Sequence, residues 1–484
     1  MEPFDVLIVG AGVVGCALAR ELARYRLRVG VVDREADVAE GTSKANSAIV
    51  HTGFDAKPGS LESRLVRRGH ALWTELAPAL HVTLERPGAL VVAVSDDQLA
   101  ALEALRDNGR RNGVTDLRVL SREEVLRREP ALTCDVRGGL DVPGESIIDP
   151  FAAVIAQAEN AAAAGVEFFL GEPVQELRAQ PDRYCAVTPR QTLEARWLVD
   201  AAGLWSDEIA GLAGWREVRV TPRKGEFVVF DKPARRLVHH ILLPVPTKIS
   251  KGILIAPTVF GNLLLGPTAV DGTDKTDLSL TADGFSTLLR AGRRFLPALQ
   301  HEAIVATYVG LRAVGAGSDY GIEVDGARRL VVISGIRSTG LTASPAIAEE
   351  VVTRLRDAGL VLRPNPGYRP DRPAPAWRPG HPRPCADPDR VARAPAYGRV
   401  VCLCESVSEG EILDAMRSPL PARTLDGIKK RTWAMAGRCQ AYYCTADLLV
   451  LLARQRGVPL ASITKRGVGS ELTTGPTRTA GGTR

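Results

Sequence analysis

Apolar residues fall along the chain in short runs and in helical spacing by turns, and that alternation predicts strands interleaved with helices. Residues 5–9 form an apolar run ending on Gly10-Ala11-Gly12-Val13-Val14-Gly15, and residues 16–25 then repeat their apolar positions with helical period. A second apolar run, 27–32, closes on Asp33. This is a βαβ unit in which the first glycine permits a tight turn, the second lets a phosphate reach the backbone and the third lets helix and strand pack closely. The helix N-terminus offers free N–H groups to a pyrophosphate, and Asp33 is placed to bind ribose hydroxyls. Such a unit takes either NAD or FAD.

Further on, residues 197–200 read as a buried strand running into Ala201-Ala202-Gly203. Residues 330–333 read as another, opening through Ser334-Gly335-Ile336-Arg337-Ser338-Thr339-Gly340-Leu341-Thr342 into a helix over 346–355. Such a glycine-rich loop aims backbone N–H groups at a ligand. Strand-rich stretches at 227–230 and 253–266 interrupt the pattern and predict an antiparallel sheet in a substrate domain. Residues 363–395 turn abruptly to Pro, Arg and Asp, the composition of an extended linker or a surface strap. Order returns at Tyr397 with a short strand, a capping-box pattern Ser408-Glu409-Gly410-Glu411 and three short helices. From Gly469 the chain is Gly/Thr-rich, a frayed tail.

At 484 residues, with 45% apolar and 24% charged side chains, the chain predicts two or three globular domains. The 62 basic and 56 acidic residues leave +6, scattered as Arg and not grouped in a stripe, which argues against nucleic acid. No apolar run approaches the roughly 20 residues that span a bilayer, so no direct membrane span is expected. Cys16, Cys134, Cys185 and Cys385 stand alone, whereas Cys402 and Cys404 are answered by Cys439 and Cys444. That is not a secreted disulfide framework, and a reducing, cytoplasmic setting is expected, peripheral to the inner face of a membrane at most through a partner. Four thiolates near helix starts suit a [2Fe–2S] cluster. Zinc and four unliganded cysteines remain as alternatives, although structural zinc prefers Cys-x2–4-Cys hooks.

The main body resembles the D-amino-acid-oxidase-type flavoproteins, in particular the branch of FAD-dependent glycerol-3-phosphate and L-2-hydroxyglutarate dehydrogenases. The residues that carry this are Gly41-Thr42-Ser43-Lys44-Ala45-Asn46-Ser47-Ala48-Ile49-Val50-His51, Lys57-Pro58-Gly59-Ser60-Leu61, Arg223-Lys224-Gly225-Glu226, Gly266-Pro267-Thr268 and Gly340-Leu341-Thr342-Ala343-Ser344-Pro345. The cysteine segment resembles the bacterioferritin-associated-ferredoxin-like [2Fe–2S] domain of the anaerobic glycerol-3-phosphate dehydrogenase A subunit. It departs from that pattern in the bulky spacer Ala441-Tyr442-Tyr443 and in Trp433-Ala434-Met435-Ala436-Gly437.

The resemblance implies an α/β fold: a Rossmann-like FAD-binding domain (1–85, 145–215 and 330–360), an inserted α+β substrate domain with an antiparallel sheet (86–144 and 216–329), a Pro-rich linker (361–396), a helical [2Fe–2S] module (397–468) and a tail (469–484). It implies FAD held by Gly10, Gly12, Gly15 and Asp33 on its ADP half, with Ala202 and Gly203 near the adenosine. Thr42, Ser43, Asn46, Ser47, Gly335, Gly340, Leu341 and Thr342 fall near the flavin, and Cys402, Cys404, Cys439 and Cys444 on the cluster.

Oxidising a secondary alcohol removes the hydroxyl proton while hydride passes from the same carbon to flavin N5, so a base must face the flavin. His51 is the first candidate and Tyr308 and Lys251 are alternatives; a histidine packed for shape is the plainer reading. The substrate's anionic group needs a cation, for which Arg312 and then Arg337 stand first, unless either is tied to a carboxylate. Lys248 and Lys251 are placed to line the entrance. The expected reaction is oxidation of a small anionic 2-hydroxy compound, sn-glycerol 3-phosphate first, with electrons leaving through the cluster to an acceptor protein or second flavoprotein subunit in a hetero-oligomer. L-2-hydroxyglutarate, an amine or amino acid, and a vestigial pocket on an electron-transfer subunit are the alternatives.

Overall fold

The structure, a computed structural model, describes residues 2–215, 217–246 and 252–475. Strand β1 (Phe4–Val9), helix α1 (Val13–Leu22) and strand β2 (Val29–Asp33) form the expected βαβ unit, with β1 and β2 parallel. Gly10 sits at φ +112°, and a Cβ there would lie 2.5 Å from the Ala201 carbonyl oxygen; a Cβ on Gly15 would lie 1.9 Å from that of Gly10. Only glycine lets the strand end, the helix and the 201–203 turn meet this closely.

Around β1 and β2 an eight-stranded sheet assembles. The long strand Thr192–Asp200 pairs parallel with β1 and, over its last residues, parallel with Leu330–Ser334. Gly321–Asp325 pairs antiparallel with Leu330–Ser334. This strand lies within the span expected for the substrate domain and is hydrogen-bonded into the first sheet. The helices α1, Pro150–Ala163 and Gly340–Asp357 cover one face and bury the largest apolar cluster against it. The last of these starts at the glycine-rich loop itself, ahead of the expected 346, with Leu341 and Ala343 already buried in its first turn.

The second sheet has nine strands, drawn from 89–142 and 220–315. All its pairings are antiparallel except Ile241–Pro244 with Ala89–Ala93. Its centre is the long ladder of Val220–Phe230 with Ile304–Gly315. The Pro-rich segment is a strap: Arg372 pairs with Glu159 at 2.6 Å and donates to Leu80 O, and Asn160 donates to Arg369 O.

The cysteine module has its own small core around Val407, Ile412, Leu425, Ile428, Leu448 and Leu452. Ser408 and Glu411 form the capping box that opens the helix Glu409–Arg417. Buried ion pairs fasten the module to the first sheet: Arg431 to Asp37 at 2.7 Å and Lys430 to Glu40 at 2.6 Å. Burial pushes the Asp37 carboxyl up, but Arg431 and Lys430 outweigh it and hold the group below its ordinary value. Lys232 to Glu405 (2.8 Å) and Arg438 to Asp231 (2.5 Å) fasten it to the second sheet. No helix among the described residues is long and apolar enough to cross a membrane.

Candidate active site

One cleft of about 2320 Å³ runs between the two sheets and reaches the cysteine module. Its nucleotide end is lined by Gly10, Gly12, Asp33, Ser43, Ala202 and Gly203. Gly15 lies outside the lining and serves the helix–strand contact described above. The Ser43 hydroxyl accepts from Val13 N–H (2.9 Å) at the start of α1, where a pyrophosphate would find free donors. Asp33 accepts from Ala11 N–H and Glu35 N–H, and burial raises its carboxyl to about 6. The Asp200 carboxyl, also raised by burial, accepts from Ala202 N–H (3.0 Å) and so shapes the 201–203 turn.

At the other end the loop carrying Thr42, Asn46 and Ser47 lies on the strand Ile304–Gly315. Thr42 Oγ1 donates to Leu311 O (2.7 Å), and Tyr308 Oη donates to Asn46 O (2.7 Å). Burial pushes the Tyr308 phenol upward, and the ring stacks on Phe227 at 4.5 Å. A phenol so committed positions the loop and is a poor base.

His51 lines the cleft, and its Nδ1 meets the Glu145 carboxylate at 3.0 Å. The other oxygen of Glu145 accepts from the Thr52 N–H and hydroxyl at 2.8 and 3.0 Å, and the side chain is fully buried. An ionised carboxylate only accepts, so the imidazole proton sits on Nδ1 and Nε2 presents its lone pair. This is the base–orienter pair expected of a working general base. Sequence reasoning missed Glu145: it lies 94 residues from His51, and only its place in the turn after Pro143-Gly144, ahead of the apolar Ile147-Ile148, marks it.

Arg312 also lines the cleft. Its guanidinium donates to the carbonyls of Thr268, Lys224 and Arg223 and has no carboxylate partner among the described residues. Burial, with Arg223 nearby, brings it down to about 10. The Asp271 carboxylate, itself paired with Arg223, favours the Arg312 charge from nearby without bonding it directly, which leaves the guanidinium available to an incoming anion. Arg337 also lines the cleft, but its charge is already paired with Glu62 at 3.0 Å.

Gly340 and Leu341 line the cleft, but Thr342 is fully buried and its hydroxyl accepts from His51 N–H (3.0 Å). It packs behind His51 and does not line the cleft. Gly335 turns at φ +67° against Gly315 and lies outside the cleft lining. Lys248 and Lys251 lie outside the described residues.

In the module the thiols pair two by two. Cys444 donates to Cys402, which against burial brings the Cys402 thiol down to about 6, and Cys404 donates to Cys439. Met435 N–H points at Cys402 and Cys444, and the N–H groups of residues 441 to 443 point at Cys439. Trp433, Met435, Gln440 and Ala441 all have positive φ, which folds these loops into backbone nests for anionic sulfur. Among the described residues no three ligand-type side chains close on a single ion. Zinc would need all four sulfurs about one centre. Two pairs suit a two-iron cluster that takes two thiolates at each iron.

The profile of the FAD dependent oxidoreductase family (DAO) matches residues 5–354, and that of the BFD-like [2Fe-2S] binding domain matches residues 400–454. The glycerol 3-phosphate dehydrogenase of Caloramator mitchellensis is 37% identical over 98% of this chain and 99% of its own length. The L-2-hydroxyglutarate dehydrogenase of Bos taurus is 31% identical over 55% of this chain and 61% of its own. Among solved structures, reduced L-α-glycerophosphate oxidase of Mycoplasma pneumoniae with FAD bound superposes with a TM-score of 0.73 at 32% identity, covering 78% of this chain and all of that one. The cofactors of these two parts are FAD and a [2Fe–2S] cluster: the chain belongs to the DAO family of FAD-dependent oxidoreductases and carries a BFD-like [2Fe–2S] domain at its C-terminal end.

Proposed function

We propose that this protein oxidises sn-glycerol 3-phosphate to dihydroxyacetone phosphate and exports the electrons through its cluster. The observation that carries the reading is the pairing, in one cleft, of a carboxylate-oriented histidine with an arginine that no carboxylate neutralises. Arg312 would bind the phosphate and set the C2 hydroxyl against His51. Nε2 would take the hydroxyl proton and Glu145 would stabilise the imidazolium so formed. The FAD held between the loop 42–47 and the second sheet would supply the hydride acceptor. Gly10, Gly12, Asp33, Ala202 and Gly203 would hold its ADP half, and Gly340 and Leu341 would close on its ring.

Export in place of reaction with oxygen is supported by length. The glycerophosphate oxidase structure covers 78% of this chain, whereas the dehydrogenase relative runs through the cysteine module as well. Around the thiols Leu403, Tyr442 and Tyr443 stand 68%, 82% and 66% exposed, a docking face for a one-electron acceptor protein or a second flavoprotein subunit. The bulky spacer Ala441-Tyr442-Tyr443 thus extends the docking face while its amides serve Cys439.

The 2-hydroxyglutarate relatives keep a carboxylate substrate as the second reading. Anaerobic addition of glycerol 3-phosphate and of L-2-hydroxyglutarate to separate samples decides. Bleaching of the flavin by the first alone, with two irons and two sulfides per chain, is the expected result. Bleaching only by the second transfers the assignment, and no bleaching by either overturns it.

A further inference from the structure

The segment Trp433-Ala434-Met435 does two things at once. Its backbone belongs to the cluster: Met435 N–H points at the Cys402 and Cys444 sulfurs. Its Trp433 ring belongs to the flavin cleft, whose wall it forms together with Ala436 and Gln440, the last beside Cys439. The ring lies face to face on Phe260 at 3.4 Å with the planes 2° apart, and 6.1 Å from the Phe151 ring. Phe260 comes from the tip of the hairpin that joins Leu254–Pro257 to Leu263–Gly266 in the second sheet, so the stack ties the module to the substrate sheet.

Behind the stack is a second, smaller cavity of about 240 Å³, bordered by Cys404 and Glu405. Val259, Phe260 and Trp433 line both cavities. The stack is therefore the partition between the cleft and the Cys404 side of the cluster. Trp433 is held there at φ +68°, a conformation that costs a bulky residue energy, and its indole N–H has no partner among the described residues. A tryptophan kept in a strained backbone, with its polar atom unsatisfied, is kept for its ring.

We propose that Trp433, clamped on Phe260, is the bridge by which electrons pass from the flavin cleft to the cluster, a positioning residue for transfer that is neither oxidised nor reduced itself. The inference rests on the reading that the cluster receives the flavin's electrons. The substrate's two electrons leave the cleft singly. Each reduces one ferric iron to ferrous, and the cluster passes it to a one-electron acceptor protein before the second follows. Two protons, one from the hydroxyl through His51 and one from the reoxidised flavin, go to solvent.

The test follows cluster reduction in the holoenzyme after the flavin alone is photoreduced by a light pulse in the presence of EDTA, which needs no substrate. In Trp433→Leu the flavin-to-cluster rate is expected to fall by about tenfold or more, and in Trp433→Phe to recover to within about threefold, with iron and sulfide content unchanged. A rate in Trp433→Leu equal to that of the wild type overturns the proposal. Where Trp433→Leu loses iron, Phe260→Leu, outside the module, carries the test: slowed transfer with intact iron supports the bridge, and unchanged transfer sinks it. If the wild-type cluster never bleaches after the pulse, what fails is the export reading itself. Failure of glycerol 3-phosphate as substrate leaves this measurement untouched.

Discussion

The flavin cleft and the cysteine module meet their cofactors in opposite ways. The cleft is made by the fold: two large sheets, a glycine turn at the end of β1 and a buried Glu145 behind His51 are all in place on cores that need no ligand. The module has one small core, and its ligand loops hold five non-glycine residues at positive φ, Ser406, Trp433, Met435, Gln440 and Ala441. Each such residue costs of order 1 kcal/mol or more, which sulfur–amide and sulfur–iron bonds would offset beside contacts such as the Trp433 N–H bond to Lys429 O and the Phe260 stack. The contrast predicts that one cofactor is received by a folded protein and that the other completes the folding of its domain.

The sharpest way to break this contrast is to remove a thiolate. Cys402→Ser should take iron from about two per chain to near zero and open the segment 400–454 to protease, because metal binding and folding are one free energy in such modules. Flavin content and bleaching by substrate should survive. Equal loss of flavin would show that the cleft depends on the module after all. In the reverse direction, His51→Ala should slow substrate-driven flavin reduction by about 10²–10⁴-fold while leaving iron content unchanged. Glu145→Gln should fall in the same direction by a comparable factor, since a glutamine amide that donates to Nδ1 fixes the wrong tautomer and takes the lone pair from Nε2. Stopped-flow absorbance separates these from wild type in one experiment.

A third substitution addresses the joint. Asp37 is buried against Lys430 and Arg431, so Asp37→Ala leaves two buried cations short of their partner and should cost about 3 kcal/mol or more. If the module is an independent unit, calorimetry should show its transition separating to lower temperature from that of the cleft. A single transition moved as a whole would mean the two regions fold together.

What the sequence showed was local, and what it hid was long-range. The βαβ unit, the capping box at Ser408 and the cysteine spacing are written in residues close along the chain, and the structure has each of them. Glu145 behind His51, Asp37 under Arg431 and Phe260 on Trp433 join residues far apart, and each is an ordinary residue type in its own neighbourhood. Arg312 ranked ahead of Arg337 in sequence, but the Glu62 carboxylate that ties up Arg337 lies 275 residues away and left no local mark. The pairing of Gly321–Asp325 with Leu330–Ser334 was not legible either, because an edge strand carries no mark of the partner it pairs with.

The smallest effect concerns whether the cleft is as ligand-independent as its core suggests. Asp33 in the folded chain titrates at about 6 against an ordinary 3.8, because burial disfavours its charge more than the Ala11 and Glu35 N–H groups favour it. The folded state therefore holds the proton through this window, and the stability the group lends is full below about 3.8 and lost as pH rises through about 6. At pH 7 the ionised carboxylate should cost the flavin-free protein at most about 2 kcal/mol, since it opens onto a cleft where water screens it. Urea midpoints of the flavin-free protein should rise from pH 7 to pH 5 more steeply in wild type than in Asp33→Asn. FAD should flatten that difference, because ribose hydroxyls donating to the carboxylate favour its charged form. If the two proteins keep parallel profiles with and without FAD, Asp33 is a structural acceptor for the glycine turn and the ribose is held elsewhere.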